Sequence, residues 1–175
     1  KYHQLRSIAA AGAGHRLRCL SPPCKNAFIS VASSPKPTET MAGKKFRTVM
    51  LIDDNEIDNL INQKMIEAAS LTDHIYTHTG AKSAIEFLRN MERLEIADQV
   101  LPDVIFLDID MPLMDGFQFL DEFEKLGSFT KKKCKVVMLT SSINPQDFNR
   151  SKRYANVKLY LNKPLSHESL MSLDI

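Results

Sequence analysis

The sequence has few of the residues that characterise chains outside the globular class. Its 175 residues include only 6 glycines, 8 prolines and 3 cysteines. So little glycine and proline is atypical of collagen-like or low-complexity chains, and an odd cysteine count argues against a disulfide scaffold. No run of about 18 uncharged apolar residues is present, which argues against a membrane-spanning helix. The length and the 43% hydrophobic content instead indicate one globular domain, with at most a tail.

A zinc site and a nucleic-acid-binding domain are also not expected. His15, Cys19 and Cys24 lie close together, but no second pair of ligands follows them. Residues 1–40 carry six basic residues and one acidic residue, which leaves 17 basic and 20 acidic residues in the rest of the chain. The basic segment could bind nucleic acid. The mildly acidic remainder has no lysine stripe or interleaved aromatic residues, so we expect no direct DNA binding.

Residues 1–46 differ from the rest of the chain and are predicted to be a leader or tail with little structure. They lack a sustained period of 2 or 3.6 and are rich in alanine, serine and proline. Vector-derived or mis-assigned upstream sequence is the favoured origin, because the chain begins with Lys1 and Met41 stands just before the first strand pattern. An organellar transit peptide and a native disordered tail are the alternatives. The folded domain is then predicted over residues 47–175.

From residue 47 onward, short apolar runs alternate with helical patterns. Apolar runs of this length are typical of strands that are buried on both faces. The predicted strands cover residues 48–53, 74–79, 104–109, 135–140 and 157–161. Helical spacing of apolar residues predicts helices over 54–70, 81–94, 116–126, 145–154 and from 166 onward. Five successive strand–helix units predict an α/β domain, with a doubly wound five-stranded parallel sheet and helices on both faces.

Polar residues stand at the carboxyl ends of four predicted strands. In chain order they are Asp53 and Asp54, then Asp108 and Asp110, then Thr140, and finally Lys163. In an open parallel sheet, ligands bind outside the carboxyl ends of the strands, at the point where the strand order reverses. The sequence therefore predicts that three carboxylates (Asp53, Asp54 and Asp108, with Asp110 following two residues later), a hydroxyl group and an ammonium group converge at one edge of the sheet.

Each of these groups suits phosphoryl transfer. Clustered carboxylates and a carbonyl are oxygen ligands that Mg²⁺ prefers, and without a cation such close charges would raise one another's pKa values. A carboxylate can attack a phosphoryl group and form an aspartyl phosphate. A metal and a lysine can neutralise the oxygens of the transferred group, and a hydroxyl group can register whether the phosphate is present.

Taken singly, each residue also has an ordinary structural explanation. Asp54 could cap the first helix, Thr140 could be a β-branched strand end, and Asp110 could be a turn residue. A lysine before a proline in a loop is most often solvated. The functional interpretation is favoured because four strand ends in succession carry the required type of residue.

These motifs resemble the receiver domain of two-component response regulators, in the single-domain form of the chemotaxis regulators. The resemblance extends from about Arg47 to Leu173. It rests on an apolar strand followed by Asp53-Asp54, on LDIDMPLMDG around Asp108, on LTSS with Thr140 and on YLNKP with Lys163. The resemblance implies a flavodoxin-like fold with the strand order 2-1-3-4-5.

The resemblance also implies roles for the acidic residues and the lysine. Asp108 would be the phospho-acceptor, and Lys163 would contact the phosphoryl oxygens. Mg²⁺ would be held by Asp54 and Asp108, by Asp53 mostly through water, and by the backbone carbonyl of Asp110. Asp110 would also flank the phosphoryl group and tune its hydrolysis.

Two further residues would form the switch. Thr140 would contact a phosphoryl oxygen, and Tyr160 matches the family's aromatic switch position. Together they would remodel the face formed by the fourth predicted helix, the fifth strand and the last helix. The phosphoryl donor would be a sensor histidine kinase or a histidine phosphotransfer protein, and the output would be the binding of a downstream protein target.

We expect such a protein to be no conventional enzyme, because it catalyses only its own phosphorylation and its slow dephosphorylation. It is expected to be cytoplasmic, without membrane association, and a monomer or weak dimer. Because the chain ends at Ile175, no room for an output domain is expected. Output would then depend on protein contacts.

Two features bear on the docking of partners. Ile57 and Ile61 on the first helix, with the loop after Lys163, form a candidate docking surface for the phosphoryl donor; burial of the two isoleucines in the core is the open alternative. The charged stretch over residues 91–101 lengthens the second helix or its loop relative to compact members of the family.

Three other functions are compatible with parts of the pattern. IFLDID is similar to the haloacid-dehalogenase-type phosphatases, in which Asp108 would be the nucleophile and Asp110 the general acid. However, Pro112 stands where that family has threonine or valine, and Asp53 and Asp54 would have no role. A degenerate receiver that acts as a scaffold is disfavoured by the intact site. A flavin-binding relative is disfavoured because no phosphate-cradling loop follows the first strand.

Overall fold

The computed structural model describes residues 44–94, 97–142 and 144–175. Residues 1–43, most of the predicted leader, lie outside this part of the chain, so that assignment stays a prediction. Phe46, the last residue of the predicted leader, is already buried in the first strand. Among the described residues, no helix is long and apolar enough to cross a membrane.

Strands and helices alternate along the described chain. The strands are β1 (Phe46–Ile52), β2 (Thr72–His78), β3 (Val104–Asp108), β4 (Lys135–Thr140) and β5 (Val157–Asn162). The helices are α1 (Glu56–Ala68), α2 (Ala81–Met91), α3 (Ala97–Val100), α4 (Gly116–Phe123), α5 (Ser128–Lys133), α6 (Pro145–Ser151) and α7 (His167–Met171). The fourth and last helices predicted from the sequence are therefore α6 and α7.

The five strands form one parallel sheet in the order β2-β1-β3-β4-β5. The predicted fold class and strand order are confirmed. β3 lies at the centre and is buried over its whole length, which accounts for its uninterrupted apolar sequence. The strand order reverses between β1 and β3, so this is where a ligand site is expected.

Two buried clusters, one on each face of the sheet, form the core. Side chains of one strand alternate between the faces. Ile105 of β3 therefore belongs to the same cluster as Phe119 of α4. Its neighbour Phe106 belongs to the cluster that includes Ile66 of α1 and Leu170 of α7. Helices on both faces thus hold the central strand, and with it the end of β3, in place.

Side-chain caps determine where several helices begin. Asn55 accepts hydrogen bonds from the backbone N–H groups two and three residues further on and so begins α1. Asp54 is exposed and is not the cap, so the capping explanation for this residue is wrong. Asn144 caps α6 as the sequence predicts, with proline at the first helical position. Ser166 likewise caps α7.

Two short helices, α3 and α5, are absent from the sequence-based prediction. One-turn helices are too short to show a hydrophobic period. α3 lies within the predicted insert and forms one helical turn there. The start of α5 depends on a distant residue, because Glu92 Oε2 accepts hydrogen bonds from Gly127 N at 3.1 Å and from Thr130 Oγ1 at 2.8 Å.

Candidate functional site

Three carboxylates meet where β1 and β3 end. Asp53 follows β1 and Asp108 ends β3, and the register that pairs Ile52 with Leu107 places the two aspartates side by side. Oxygen atoms of Asp53, Asp54 and Asp108 lie within 4.8 Å of one another. Asp53 and Asp108 are only 2% and 3% exposed, whereas Asp54 faces solvent. The structure thus brings these three predicted carboxylates together.

Lys163 adds a positive charge between the two buried aspartates. Its Nζ lies 2.6 Å from Asp53 Oδ2 and 2.9 Å from Asp108 Oδ1. The lysine reaches this position because it directly follows β5, and its backbone N–H donates to the Thr140 carbonyl at 2.8 Å. The ends of β4 and β5 thereby align the ammonium group with the acidic pair.

The local electrostatics follow from burial and from these contacts. Burial raises the pKa of Asp108 above its usual value; Lys163 opposes this change, and the nearby charge of Asp53 adds to it. For Lys163, burial alone would lower the pKa, but the Asp53 and Asp108 carboxylates outweigh it and raise the pKa. The lysine is therefore a permanent cation at neutral pH, and it is outnumbered by carboxylates.

The oxygen atoms of this site fit a hard divalent cation. Asp53 Oδ1 accepts a hydrogen bond from Asn55 N at 3.0 Å. Asp53 Oδ2 is buried and lies 2.6 Å from Lys163 Nζ. Buried carboxylates need compensating positive charge, and one lysine does not offset the charge of Asp53, Asp54 and Asp108 together. The oxygen atoms of these three carboxylates form a ligand set that suits Mg²⁺.

The side chains of Asp110 and Thr140 are placed differently from those of the acidic cluster. Asp110 is exposed, and its carboxylate is not part of the three-residue cluster. Thr140 is buried, but its hydroxyl group donates to the Ser142 carbonyl at 2.7 Å and accepts from Ser142 N at 3.1 Å. This hydroxyl group is therefore engaged by the loop after β4.

Tyr160 lies at the end of the sheet where Thr140 is found. Its ring packs against the core cluster of α2 and α4 and meets Phe148 edge-on, with the ring centroids 5.8 Å apart. The phenol oxygen is buried without a hydrogen-bond partner among the described residues, and burial raises the pKa of this phenol.

The sequence-based prediction missed a second ring of polar contacts contributed by α1. Asp58 Oδ2 lies 3.5 Å from Lys163 Nζ. The Asn59 side chain donates to the Asp53 carbonyl at 2.7 Å, and Asn62 Oδ1 accepts from Leu165 N at 3.2 Å. The sequence shows that Asp58, Asn59 and Asn62 are polar, but it does not show which face of α1 turns towards the sheet.

The opposite face of α1 carries an exposed apolar surface beside the site. Ile57, Leu60 and Ile61 are 67%, 55% and 43% exposed. The alternative that Ile57 and Ile61 are buried in the core is therefore wrong. Apolar side chains that cluster on a surface are typical of an interaction site.

The geometry of the site is consistent with the proteins to which the chain is similar. Residues 49–173 match the family model of the response regulator receiver domain. A probable methanogenesis regulatory protein, FilR2, of Methanothrix harundinacea is 31% identical over 70% of this chain and 75% of that protein. The sensor histidine kinase CheAY of Helicobacter pylori is 30% identical over 71% of this chain. The chain spans only 14% of that kinase's length.

Solved structures show the same similarity. A two-component response regulator from Cytophaga hutchinsonii superimposes with a TM-score of 0.67 and 30% identity, and the match covers 73% of this chain and 93% of that one. A response regulator receiver protein from Dyadobacter fermentans gives a TM-score of 0.62 at 25% identity, over 71% of this chain and 91% of that one. The phosphatase alternative would leave the Asp53 and Asp54 carboxylates beside Asp108 without a role.

Proposed function

Because this chain belongs to the response regulator receiver family, the phospho-acceptor domains of two-component signalling, we propose that its acceptor is Asp108. The observation that carries this proposal is the position of the Asp108 carboxylate. It ends the central strand, lies 2.9 Å from Lys163 Nζ and shares one cluster with Asp53 and Asp54. Within this cluster, only Asp108 is a buried carboxylate at the end of the central strand, β3.

The proposed chemistry is a group transfer from a phosphorylated histidine. An Asp108 oxygen forms a bond to phosphorus while the bond between phosphorus and the donor nitrogen breaks, and the electron pair of that bond stays with the donor. Lys163 keeps its proton and neutralises charge on the phosphoryl oxygens. The receiver contributes charge and position to this transfer, in keeping with its role as a phospho-acceptor and not as a conventional enzyme.

A magnesium ion completes the proposed site. Asp53, Asp54 and Asp108 would hold it, together with the backbone carbonyl of Asp110. Once bound, the ion would supply positive charge to the oxygens of the transferred group. The burial of the Asp53 and Asp108 carboxylates supports this assignment, because a divalent cation would offset the negative charge that Lys163 alone leaves unbalanced.

We place the switch at Thr140 and Tyr160. Phosphorylation adds nearly two negative charges, and these offer the Thr140 hydroxyl group a stronger acceptor than the Ser142 carbonyl. Movement of this hydroxyl group would alter the space beside Tyr160, whose own hydroxyl group is unsatisfied. The surface of α6, β5 and α7 would then differ between the two states, which is the condition for a partner to distinguish them.

The proposed phosphoryl donor is a histidine kinase or a histidine phosphotransfer protein. Among the similar proteins, one is a sensor histidine kinase and another, from Dictyostelium discoideum, is a hybrid signal transduction histidine kinase. We propose that the donor docks on the exposed apolar face of α1 and on the loop after Lys163. The output would be a protein target in the cytoplasm and not DNA, with the receiver acting as a monomer or weak dimer.

The Ile57→Asp variant tests the docking surface. We expect phosphotransfer from a histidine kinase that phosphorylates the wild type to fall about tenfold, because a charge would enter an apolar contact. Phosphorylation by acetyl phosphate should stay unchanged, since the Ile57 side chain is 67% exposed and is not among the carboxylates and the lysine that form the site. Phe129→Asp, at an exposed phenylalanine of α5, is the matched control. Equal loss with both phosphoryl donors would contradict a docking role.

Metal removal tests the proposed function as a whole. Intact-mass spectrometry of the full chain after incubation with acetyl phosphate and Mg²⁺ should show the gain of one phosphoryl group. The same incubation with excess chelator should show none, because four carboxylates around one lysine would repel an incoming anion. Labelling that persists in chelator would contradict the metal assignment. No labelling under either condition, together with none from histidine kinases, would contradict phospho-acceptor function.

A further inference from the structure

Asp58 is a fourth carboxylate at the site, and among the described residues its ion-pair partner is Lys163. It lies in the first turn of α1. Its Oδ2 is 3.5 Å from Lys163 Nζ, in hydrogen-bond geometry. Asp58 is not in the carboxylate cluster formed by Asp53, Asp54 and Asp108. Its charge therefore acts on the lysine and not directly on a cation held by that cluster.

A cation at the cluster and Lys163 would share the Asp53 carboxylate. Asp53 Oδ2 is the nearest carboxylate oxygen to Lys163 Nζ, at 2.6 Å. A divalent ion held by this carboxylate, directly or through a water molecule, would repel the ammonium group. Lys163 would then depend on its remaining carboxylate contacts, which are Asp108 and Asp58.

The structure has space for an ammonium group displaced in this direction. A cavity of about 280 Å³ lies beside the lysine. It is lined by Asp58, Ile61, Asn62, Ser141, Lys163 and Pro164. Asp58 supplies the one carboxylate of this lining. Asn62 is already bound to the backbone of Leu165, so a lysine that turns into the cavity meets Asp58 as its ionic partner.

We propose that Asp58 is a positioning residue that holds Lys163 when a divalent cation takes Asp53. This inference rests on the proposed magnesium site and deepens it. Without Asp58, the ammonium group would keep only the Asp108 carboxylate, which the ion also uses, so displacement of the lysine would be less favourable. Asp58 thereby strengthens Mg²⁺ binding and keeps Lys163 within reach of the Asp108 oxygens.

The test is Mg²⁺ binding to the full chain, measured by isothermal titration calorimetry without any phosphoryl donor. We expect Asp58→Asn to weaken Mg²⁺ binding about fourfold, as for loss of a partly exposed ion pair. Asp58→Glu should restore affinity to within about twofold of the wild type, because it returns the charge to the same helical turn. A structural role of the side-chain shape alone would predict the reverse, with asparagine the better substitute.

Glu56→Gln is the matched control, because Glu56 lies in the same first turn of α1 and has no contact with Lys163 among the described residues. This variant should change Mg²⁺ affinity by less than about twofold, since an exposed charge is screened by solvent. Equal weakening in Glu56→Gln and Asp58→Asn would overturn the proposal in favour of a general charge effect. Unchanged affinity in Asp58→Asn would also overturn it.

Asp54→Asn separates failure of this inference from failure of the proposed function. Suppose that the wild type binds Mg²⁺, that Asp54→Asn abolishes this binding and that Asp58→Asn has no effect on it. The proposed magnesium site is then supported, and the proposed role of Asp58 is wrong. If the wild type binds no Mg²⁺, both the magnesium site and the role of Asp58 are wrong. Thermal melting without metal verifies that each variant is folded.

Discussion

Asp108→Asn should eliminate phosphorylation, from one phosphoryl group per molecule in the wild type to none. The amide that replaces the carboxylate keeps nearly the same shape but is not a nucleophile towards phosphorus. The change also removes a buried charge whose pKa is raised mainly by burial, so the fold should tolerate it. Lys163 keeps its 2.6 Å contact with Asp53. Intact-mass spectrometry after incubation with Mg²⁺ and acetyl phosphate measures the result directly.

Asp110→Asn is the matched control for this prediction. It makes the same chemical change two residues further along the chain, at an exposed side chain outside the carboxylate cluster. This variant should still gain one phosphoryl group, even if the lifetime of the phosphate differs. A full phosphoryl gain in Asp108→Asn would identify another acceptor, and loss of labelling in both variants would indicate that the loop after β3 had been disturbed.

The strand-end residues could be predicted from the sequence because two simple rules determine their placement. Parallel strands buried on both faces have long apolar runs, so their ends are easy to locate. The carboxyl ends of parallel strands then lie at one edge, which brings Asp53, Asp108 and Lys163 together without any knowledge of packing. The register contributes only the final detail, because Ile52 pairs with Leu107 and Thr140 pairs with Asn162.

The contacts from α1 and the start of α5 could not be predicted in the same way. Whether Asp58 faces solvent or Lys163 depends on the rotation of α1 about its axis, which core packing decides. Asn62 meets the chain 103 residues further on, and Glu92 meets α5 35 residues further on. Such contacts follow from the tertiary structure, whereas hydrophobic periods report only local structure.

The position of the Thr140 hydroxyl group also lies beyond the reach of sequence patterns. A threonine at the end of β4 can point its hydroxyl group towards Asp108 or back into its own loop. In this structure Thr140 bonds with Ser142, and the Tyr160 phenol has no hydrogen-bond partner within the described part of the chain. The residue types alone do not determine either side-chain conformation, because both depend on small differences in free energy between rotamers. The chemistry of the site is therefore easier to predict than its conformational state.

The second large effect is expected from Gly116→Ala, at the first residue of α4. A Cβ atom on Gly116 would lie 2.5 Å from the backbone oxygen of Asp108 and 3.0 Å from Ile109 Cα. Both neighbours are backbone, so neither can move aside by changing a rotamer. The methyl group must push α4 away from the end of β3 and strain the hydrogen bond from Gly116 N to the Ile109 carbonyl, which is 2.9 Å long. We expect a loss of about 1–3 kcal/mol in the free energy of unfolding.

Phosphorylation should fall together with stability in this variant, because the displaced atoms include the backbone of the acceptor itself. Urea unfolding measures the stability. The rate of labelling by acetyl phosphate, without urea and with the protein fully folded, measures the function. Gly80→Ala is the matched control, since no atom lies within 4 Å of its added Cβ and its φ of 178° is accessible to any residue. Its unfolding free energy should stay within about 0.5 kcal/mol of the wild type. If Gly116→Ala were as stable and as readily labelled as Gly80→Ala, the close approach of α4 to the acceptor strand would not constrain the site, and the position of Asp108 would have to be maintained by the sheet alone.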